Sequence, residues 1–205
     1  IDDPNKEVLV QNVGDQRVKI ALSRGENFNN TDYITFYFET LKTQPQVKFA
    51  YTQFMSKRKH FEEAAKQLNT NVIPLTGPIM SKVLSKNEDG IFKYWYTDRF
   101  GFKNLDSNYN KSIDAIIIGD GMIQAVTQTN EKDIAGVLAN KHGMNSLNFG
   151  INGISFLTYY ALFKEYALNL KPKNIIFAYF ESNDLTELKN EYQDKRLLSY
   201  LDNNA

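Results

Sequence analysis

Apolar and amphipathic stretches alternate along the second half of the chain. Three short apolar runs lie at 114–120, 145–150 and 173–180. Runs of this kind predict strands that are buried on both faces of a parallel sheet. Three amphipathic stretches alternate with them, at 130–143, 155–170 and 184–201. Their apolar residues recur at helical spacing, so they predict helices, with Gly143 ending the first and Ser155 beginning the second.

An order of strand, helix, strand, helix, strand, helix is typical of an α/β fold. Such folds carry a parallel sheet whose connections are right-handed, with helices on both faces. In the first of these helices we expect an apolar stripe formed by Ile134, Val137 and Leu138.

The first half of the chain has a different character. Helices are expected at 31–44 and 52–69, and the first has Thr31 and Asp32 as capping residues. The extended elements predicted there lie at 7–13 and 71–75, and a third at 91–98 is the expected partner of 71–75.

The polar connection at 104–112 is the expected boundary between the two halves. We therefore predict a mixed helix and strand extension over 1–110 and the first half of an α/β domain over 111–205.

Composition narrows the class of protein. The chain has 205 residues, of which 42% are hydrophobic and 13% aromatic, enough for a packed core. Its 24 basic and 24 acidic residues give a net charge of zero, which gives no support for nucleic-acid binding. There is no Cys, so disulfides, thiolate metal sites and Cys nucleophiles are excluded. No apolar run reaches the length of a membrane span.

Candidate chemistry lies in the turns that follow the predicted strands, where α/β sheets bind ligands. The turns concerned are Gly119-Asp120-Gly121 after the first strand, Gly150-Ile151-Asn152-Gly153 after the second, and Glu181-Ser182-Asn183-Asp184 after the third. A plainer interpretation is equally open: tight turns, with Asp120 and Asp184 capping the helices that follow.

These blocks, "IIIGD-x-M", "NFGING" and "YFESNDL", resemble in order and spacing those of the SGNH (GDSL-type) hydrolases. The segment "YTDRFGFKN" at 96–104 is similar to the lead-in of a membrane-anchored bacterial subgroup of that family. The resemblance covers roughly residues 70–205. It implies a parallel three-layer α/β/α sandwich of flavodoxin-like type, with no cofactor and no metal. It also implies a periplasmic or cell-envelope location, in a subgroup whose members carry a membrane anchor that would lie outside this chain; the residues themselves leave a cytoplasmic location open.

The resemblance also implies roles for individual residues. Gly121 falls where the family has its nucleophilic Ser, and Asp120 matches the Asp that shapes that turn. The backbone N–H of Gly153 and the side-chain amide of Asn183 fall on the oxyanion-hole donors. The Gly at 121 is open to three explanations: natural loss of the nucleophile, deliberate substitution, or a position that was never catalytic in this lineage.

A second departure concerns the general base, which the family takes from a His in an Asp-x-x-His block near its C-terminus. This chain has only His60 and His142, and both are expected at the surface. The family fold has about five strands, so a C-terminally incomplete domain is expected. Nearby hydroxyls are not expected to replace the missing Ser: Thr127 and Thr129 lie beyond the turn, and Ser155 and Ser182 belong to the other two turns.

Function follows from these matches as two alternatives. The first is an esterase or acyl-hydrolase domain for ester-linked acyl groups, often on carbohydrates, that is inactive as written. The second is a pseudoenzyme that binds acylated glycans, or a structural envelope domain. In either case the expected partner is a small-molecule or glycan ester.

Two further groups of residues leave their role open. The aromatic set could pack in the core or form a sugar-stacking surface, and comprises Phe92, Tyr94, Trp95, Tyr96, Phe100 and Phe102. The carboxylates Asp98 and Glu181 could form an acid/base pair only if the fold brings them together.

Overall fold

The architecture comes from a computed structural model of the chain. It describes residues 18–19, 22–25, 28–29, 31–50, 66–67, 74–85, 87 and 90–202. The strand expected at 7–13 lies outside these residues. So does the helix expected at 52–69, apart from residues 66–67, which are helical.

A small sheet and one helix form the first part of the described fold. Its elements are α1 (Tyr33–Thr43), β1 (Lys48–Phe49), β2 (Lys82–Leu84) and β3 (Tyr94–Tyr96). The carboxylate of Asp32 accepts a hydrogen bond from the Thr35 N–H at 2.9 Å, so Asp32 begins the helix as predicted. The ring of Phe36 stacks on Phe92 with 3.8 Å between ring centroids, which packs α1 against the sheet.

The pairing expected between 71–75 and 91–98 is not made by the described part of the first segment, and residues 71–73 lie outside the described residues. β3 pairs antiparallel with β2, with Val83 opposite Trp95, and β1 pairs parallel with β2. Pro74 and Leu75, the described part of 71–75, lie outside any strand. Pro lacks the N–H that a strand pairing requires, which is consistent with this outcome.

A parallel sheet forms the second part and confirms the α/β class. Its strands are β4 (Ala115–Gly119), β5 (Ser146–Gly150) and β6 (Asn174–Ala178), in the order β5-β4-β6. Both pairings are parallel, and Ala115 lies opposite Ser146 on one side and Asn174 on the other. β4 is therefore central, and the turns that follow all three strands lie at one edge of the sheet.

Helices follow each strand of this sheet. They are α2 (Gly121–Gln124), α3 (Ile134–His142), α4 (Phe156–Leu162), α5 (Leu168–Leu170), α6 (Asp184–Glu191) and α7 (Lys195–Leu198). A π-helical turn, Phe163–Ala167, joins α4 to α5, so the helix expected at 155–170 is present with one wider turn. Short 3₁₀ helices lie at Asp106–Asn110 and Ser199–Leu201.

The helix expected at 130–143 is shorter than predicted and buries a different face. It begins at Ile134 because the Asp133 carboxylate accepts from the Gly136 N–H at 3.0 Å. Gly143, with φ of +65°, ends it as predicted. Ile134 is exposed and Ala135 is buried, so the predicted apolar stripe is wrong at its first position.

Two other helices differ from the sequence prediction, the first for a local reason and the second for a non-local one. The stretch 184–201 breaks between α6 and α7, where Asp194 accepts from the Arg196 N–H and starts a new helix. Ser155 occupies the N-cap position of α4, but its hydroxyl donates to the Asp184 carbonyl oxygen at 2.6 Å. The cap is supplied instead by the buried Glu191 carboxylate, which accepts from the Leu157 N–H at 3.0 Å.

The main core lies between the parallel sheet and α4. Ile116 and Ile118 of β4 pack there with Leu147 and Phe149 of β5. Phe102 from the lead-in segment stacks on Phe149 with 3.9 Å between centroids. β4 and β5 are buried throughout, as predicted, whereas every residue of β6 is at least partly exposed, so its prediction as a buried strand is wrong.

Candidate functional site

The turns after the three parallel strands enclose one cavity of about 430 Å³. It is lined by Asp120, Gly121, Met122, Gln124, Ala125, Val126, Thr127, Gln128, Asn152, Phe180 and Asn183. Three of the four predicted site residues, Asp120, Gly121 and Asn183, are therefore brought together. The fourth, Gly153, is not among the lining residues.

Asp120 shapes the turn between β4 and α2. Its carboxylate is buried and accepts from the Met122 N–H at 2.9 Å, which caps α2 as the plainer interpretation expected. Burial raises the pKa of Asp120, and the nearby charge of Asp184 adds to this rise. Hydrogen bonds from Met122 and Asn183 act in the opposite direction.

Gly121 is the first residue of α2, and its backbone does not require glycine. Its φ lies outside the left-handed region. A Cβ atom built at this position would lie 3.0 Å from the Asn152 Oδ1, the end of a flexible side chain. By contrast, a Cβ at Gly150 would overlap the backbone nitrogen of Gln124, so Gly150 permits the close approach of β5 and α2. Position 121 thus accommodates a side chain with a small adjustment.

Asn183 lies at the N-cap position of α6 and lines the cavity. Its side chain makes no capping bond, and it lies close enough to Asp120 to lower the pKa of that carboxyl. Its Oδ1 is buried without a hydrogen-bond partner among the described residues. A buried unpaired amide oxygen is unfavourable, so a ligand or solvent donor would be stabilised there.

The turn after β5 contributes Asn152 rather than Gly153. The Asn152 N–H donates to the Gln124 Oε1 at 3.1 Å, which ties this turn to the end of α2. Gly153 follows with φ of +76° and supplies the turn geometry. Sequence reasoning placed Asn152 in this turn without giving it a role, and it missed Gln124.

The hydroxyl groups considered as replacements for the missing Ser lie in different parts of the structure. Thr127 lines the cavity, whereas Thr129 does not. Ser155 is buried and bonded to the Asp184 carbonyl, and Ser182 is exposed. None of these side chains stands at position 121, where the family's nucleophile would be.

Asp184 does not cap α6, so that part of the plainer interpretation is wrong. Its carboxylate is buried, and its Oδ2 accepts from the Tyr159 hydroxyl at 3.0 Å and the Phe180 N–H at 2.9 Å. The N-cap position belongs to Asn183. Asp184 instead holds the end of the β6 segment against α4, beside the cavity.

The lead-in segment is a structural loop built on Asp98. The buried Asp98 carboxylate accepts from the N–H groups of Phe100 and Phe102, the Asn104 amide and the Tyr109 hydroxyl, at 2.6–3.0 Å. Burial raises the pKa of Asp98, and these donors oppose the rise. With its oxygens occupied in this way, Asp98 has a structural role.

Two side-chain amides, those of Asn104 and Asn148, connect the lead-in loop to the candidate site. The Asn104 side chain accepts from the Asn148 N–H at 2.8 Å and donates to the Asn148 carbonyl at 3.0 Å. The Asn148 amide in turn donates to the Ile123 carbonyl of α2 at 2.6 Å. A buried ion pair between Lys103 and Asp133, at 3.1 Å, lies beside them. The lead-in loop therefore fixes β5 and, through it, α2.

The remaining candidates are explained by burial and position. Phe92, Trp95 and Phe102 are buried and belong to the core, whereas Tyr96 is exposed. Glu181 is also exposed, and nothing pairs it with Asp98 among the described residues.

His142, the one histidine among the described residues, does not line the cavity. It lies exposed in the last turn of α3, and His60 lies outside the described residues. Within the described ranges, no three His, Asp or Glu side chains gather closely enough to hold a metal ion. In the same ranges, no helix combines the length and apolar character that crossing a bilayer requires.

No protein-family model, curated protein or solved structure matches this chain. The similarity to SGNH hydrolases accordingly rests on the sequence blocks and their spacing, and the functional argument rests on the geometry of the cavity.

Proposed function

We propose that this chain is an SGNH-type domain that binds an ester-bearing ligand, such as an acylated glycan, without hydrolysing it. One observation carries the proposal. Gly121, at the position of the family's nucleophile, lines the cavity of about 430 Å³ with a backbone that needs no glycine. Asp120 and Asn183 line the same cavity, and no hydroxyl stands at position 121.

Acyl transfer through an enzyme-bound ester needs a nucleophile, a base and donors for the oxyanion. Glycine supplies no nucleophile. Among the lining residues only Thr127 carries a hydroxyl, and no His is present. In a Ser hydrolase of another fold, loss of the nucleophile costs about 10⁶ in kcat. We therefore expect binding without turnover.

The lining favours a neutral polar ligand with an apolar group. Its amide side chains are Gln124, Gln128, Asn152 and Asn183. Met122 and Phe180, at 66% and 38% exposure, offer apolar surface at the same cavity. Amides bond carbonyl and hydroxyl oxygens without a charge requirement, and apolar side chains bury an acyl chain.

The three-layer sandwich is the fold that we propose for the parallel sheet. Two features support it: Ile116 and Ile118 pack on the α4 side, and Asn148 on the other side bonds the α2 carbonyl of Ile123. Helical elements therefore contact both faces of the sheet.

A calorimetric titration with a mono-O-acetylated disaccharide tests binding, and the same deacetylated disaccharide is the comparison. We expect a Kd of about 1 mM or tighter for the acetylated sugar only. Asn183→Ala should weaken it by about tenfold, since one hydrogen bond is lost. Asn140→Ala, an exposed Asn in α3, is the matched control and should leave it unchanged. Equal affinity for both sugars, or no effect of Asn183→Ala, would contradict the proposal.

The assignment of Gly121 to the nucleophile position can be tested separately from binding. In a polypeptide that also carries an Asp-x-x-His block, Gly121→Ser should produce esterase activity that a Ser-directed phosphonate blocks. A folded protein of this kind without activity would count against the assignment of Gly121 to the nucleophile position.

A further inference from the structure

A second, smaller cavity lies between the lead-in loop, the start of β5 and α3, and we call it the lead-in cavity. Its volume is about 130 Å³, and its lining comes from residues within 103–108 and 130–140, together with Ser146. It shares no lining residue with the cavity at the strand ends. The two cavities are therefore separate places on the molecule.

The lead-in cavity belongs to the β5 side of the parallel sheet. There the Asn104 side chain already bonds both the N–H and the carbonyl of Asn148, at 2.8 and 3.0 Å. Further strands of an SGNH-type sheet would accordingly pair with β6, at the opposite edge. Such strands would lie away from the lead-in cavity.

Lys103 brings a buried positive charge to this cavity. Its side chain is 1% exposed, and its ammonium donates to the Asp133 Oδ2 at 3.1 Å. An ammonium carries three N–H donors. No second acceptor for it occurs among the described residues. Because an unpaired charged donor in the interior is unfavourable, a ligand oxygen that accepts from it would be stabilised there.

Ser146 adds three unbonded polar groups. It is buried, and its Oγ has no hydrogen-bond partner in the described part of the chain. Two residues further along β5, Asn148 turns its backbone N–H and carbonyl outwards to Asn104. Backbone direction alternates along a strand, so Ser146 turns its own N–H and carbonyl the same way. No described residue bonds them.

The charges around the cavity favour a neutral ligand. Asp133 already balances Lys103, and the exposed Glu131 adds a second carboxylate to the lining, which disfavours an anion. The buried Lys103 ammonium in turn disfavours a cation. Hydroxyl groups both donate and accept, so they match a lining that presents unpaired donors and acceptors together.

The volume sets the size of the ligand. A cavity of about 150 Å³ in another protein holds benzene, which has six carbon atoms. The lead-in cavity, at about 130 Å³, therefore suits a molecule of about six non-hydrogen atoms.

We propose that the lead-in cavity binds a small neutral polyol of the size of glycerol. One hydroxyl oxygen accepts from the Lys103 ammonium, and a second hydroxyl group bonds the free groups of Ser146. Ala135 and Ala139 line the cavity and offer apolar surface to the carbon chain. This inference is independent of the proposed ester ligand.

An NMR titration of the ¹⁵N-labelled chain with glycerol tests the proposal. We expect saturable shifts of the Ser146 and Ala135 amide signals, with a Kd of about 10 mM. The comparison ligand is 1,3-propanediol, which has the same carbon chain without the central hydroxyl. It should bind about tenfold more weakly, since one hydrogen bond is lost. Sodium acetate and ammonium chloride should give no saturable shift at these two residues.

A pair of serine variants tests the assignment to Ser146. Ser146→Ala should weaken glycerol binding by about tenfold. Ser85→Ala is the matched control, because Ser85 is also buried with an unbonded hydroxyl but does not line the cavity. It should leave the Kd unchanged. Both substitutions remove a hydroxyl that bonds nothing among the described residues, so both variants should fold.

Four results would overturn the proposal. Shifts that rise linearly up to about 100 mM glycerol would mean that the cavity holds solvent alone. Equal Kd values for Ser146→Ala and the parent chain would remove Ser146 from the site. Saturable binding of acetate there would contradict the neutral class of ligand. Saturable shifts at Met122 and Gln124 alone would place glycerol in the cavity at the strand ends. The glycerol and propanediol comparison uses the parent chain and depends on no variant.

Discussion

Gly121 is the residue on which the functional argument depends. It stands at the start of α2, next to the Asn152 side chain, with a backbone that any residue can adopt. The backbone at position 121 therefore does not select glycine, and a side chain there requires only that the Asn152 side chain shift.

Substitution of Gly121 and of Gly150 tests whether the two positions differ in their need for glycine. Gly121→Ala should change the free energy of unfolding by less than about 1 kcal/mol, because the Asn152 side chain can move slightly. Gly150→Ala should destabilise by about 1–3 kcal/mol, because the new Cβ overlaps backbone atoms of α2. Urea unfolding measures both. Equal losses would mean that Gly121 is required by the turn.

The Asp120 carboxyl makes a prediction about pH. Its pKa is raised above the ordinary value of 3.8, chiefly by burial. The folded state therefore holds the proton more tightly than the unfolded state, and stability falls as pH rises from 3.8 through the raised pKa. Asp120→Asn keeps an acceptor for the Met122 N–H and removes this loss, so the variant should gain stability over the parent as pH rises above 3.8.

Asp106 provides a control of opposite sign. Its pKa is lowered by the Arg99 side chain, so its contribution is present above 3.8 and is lost as pH falls. Asp106→Asn should therefore lose stability relative to the parent at neutral pH and match it in acid. Thermal unfolding from pH 3 to pH 7 measures both variants. If both variants gained stability relative to the parent as pH rises, or both lost it, the assigned directions of the two pKa shifts would be contradicted.

Among the elements, β5 has its outer edge bonded by a side chain: the Asn104 amide pairs with the N–H and the carbonyl of Asn148. Asn104→Ala should leave the Asn148 N–H and carbonyl unpaired in the interior, at a cost of about 2–4 kcal/mol. The Asn148 amide should also exchange faster with solvent. Asn140→Ala removes one exposed side chain and should cost less than about 0.5 kcal/mol. Equal losses of stability for the two substitutions would contradict the structural role of Asn104.

The elements also show what sequence can and cannot predict. Apolar runs identified β4 and β5, and local caps at Asp32 and Gly143 marked helix ends. The cap of α4 comes from Glu191, far along the chain, so local patterns could not reveal it. The apolar run of β6 is like that of β4, but its position at the edge of the sheet depends on strand order.

The candidate site was predictable to a similar extent. Asp120, Gly121 and Asn183 follow strands directly, and the parallel sheet brings such positions together. The role of Asn152 and the presence of Gln124 were not predicted, because both depend on how the turn after β5 meets α2. That contact is set by packing at Gly150, which no periodicity in the sequence encodes.

At the scale of the whole molecule, the lead-in loop joins the first part of the fold to the site. Asp98 orders the loop, and Asn104 fastens it to β5. Phe102 enters the main core beside Phe149. The loop therefore supports the cavity structurally, although it supplies no lining residue.

The central claim, binding of an ester without hydrolysis, is tested most directly by NMR on the ¹⁵N-labelled chain. The mono-O-acetylated disaccharide should shift the amide signals of Met122 and Gln124, together with the side-chain amides of Asn152 and Asn183. The deacetylated sugar should not shift them, and no free acetate should accumulate. Release of acetate by the chain, or shifts confined to residues outside the cavity, would contradict the account.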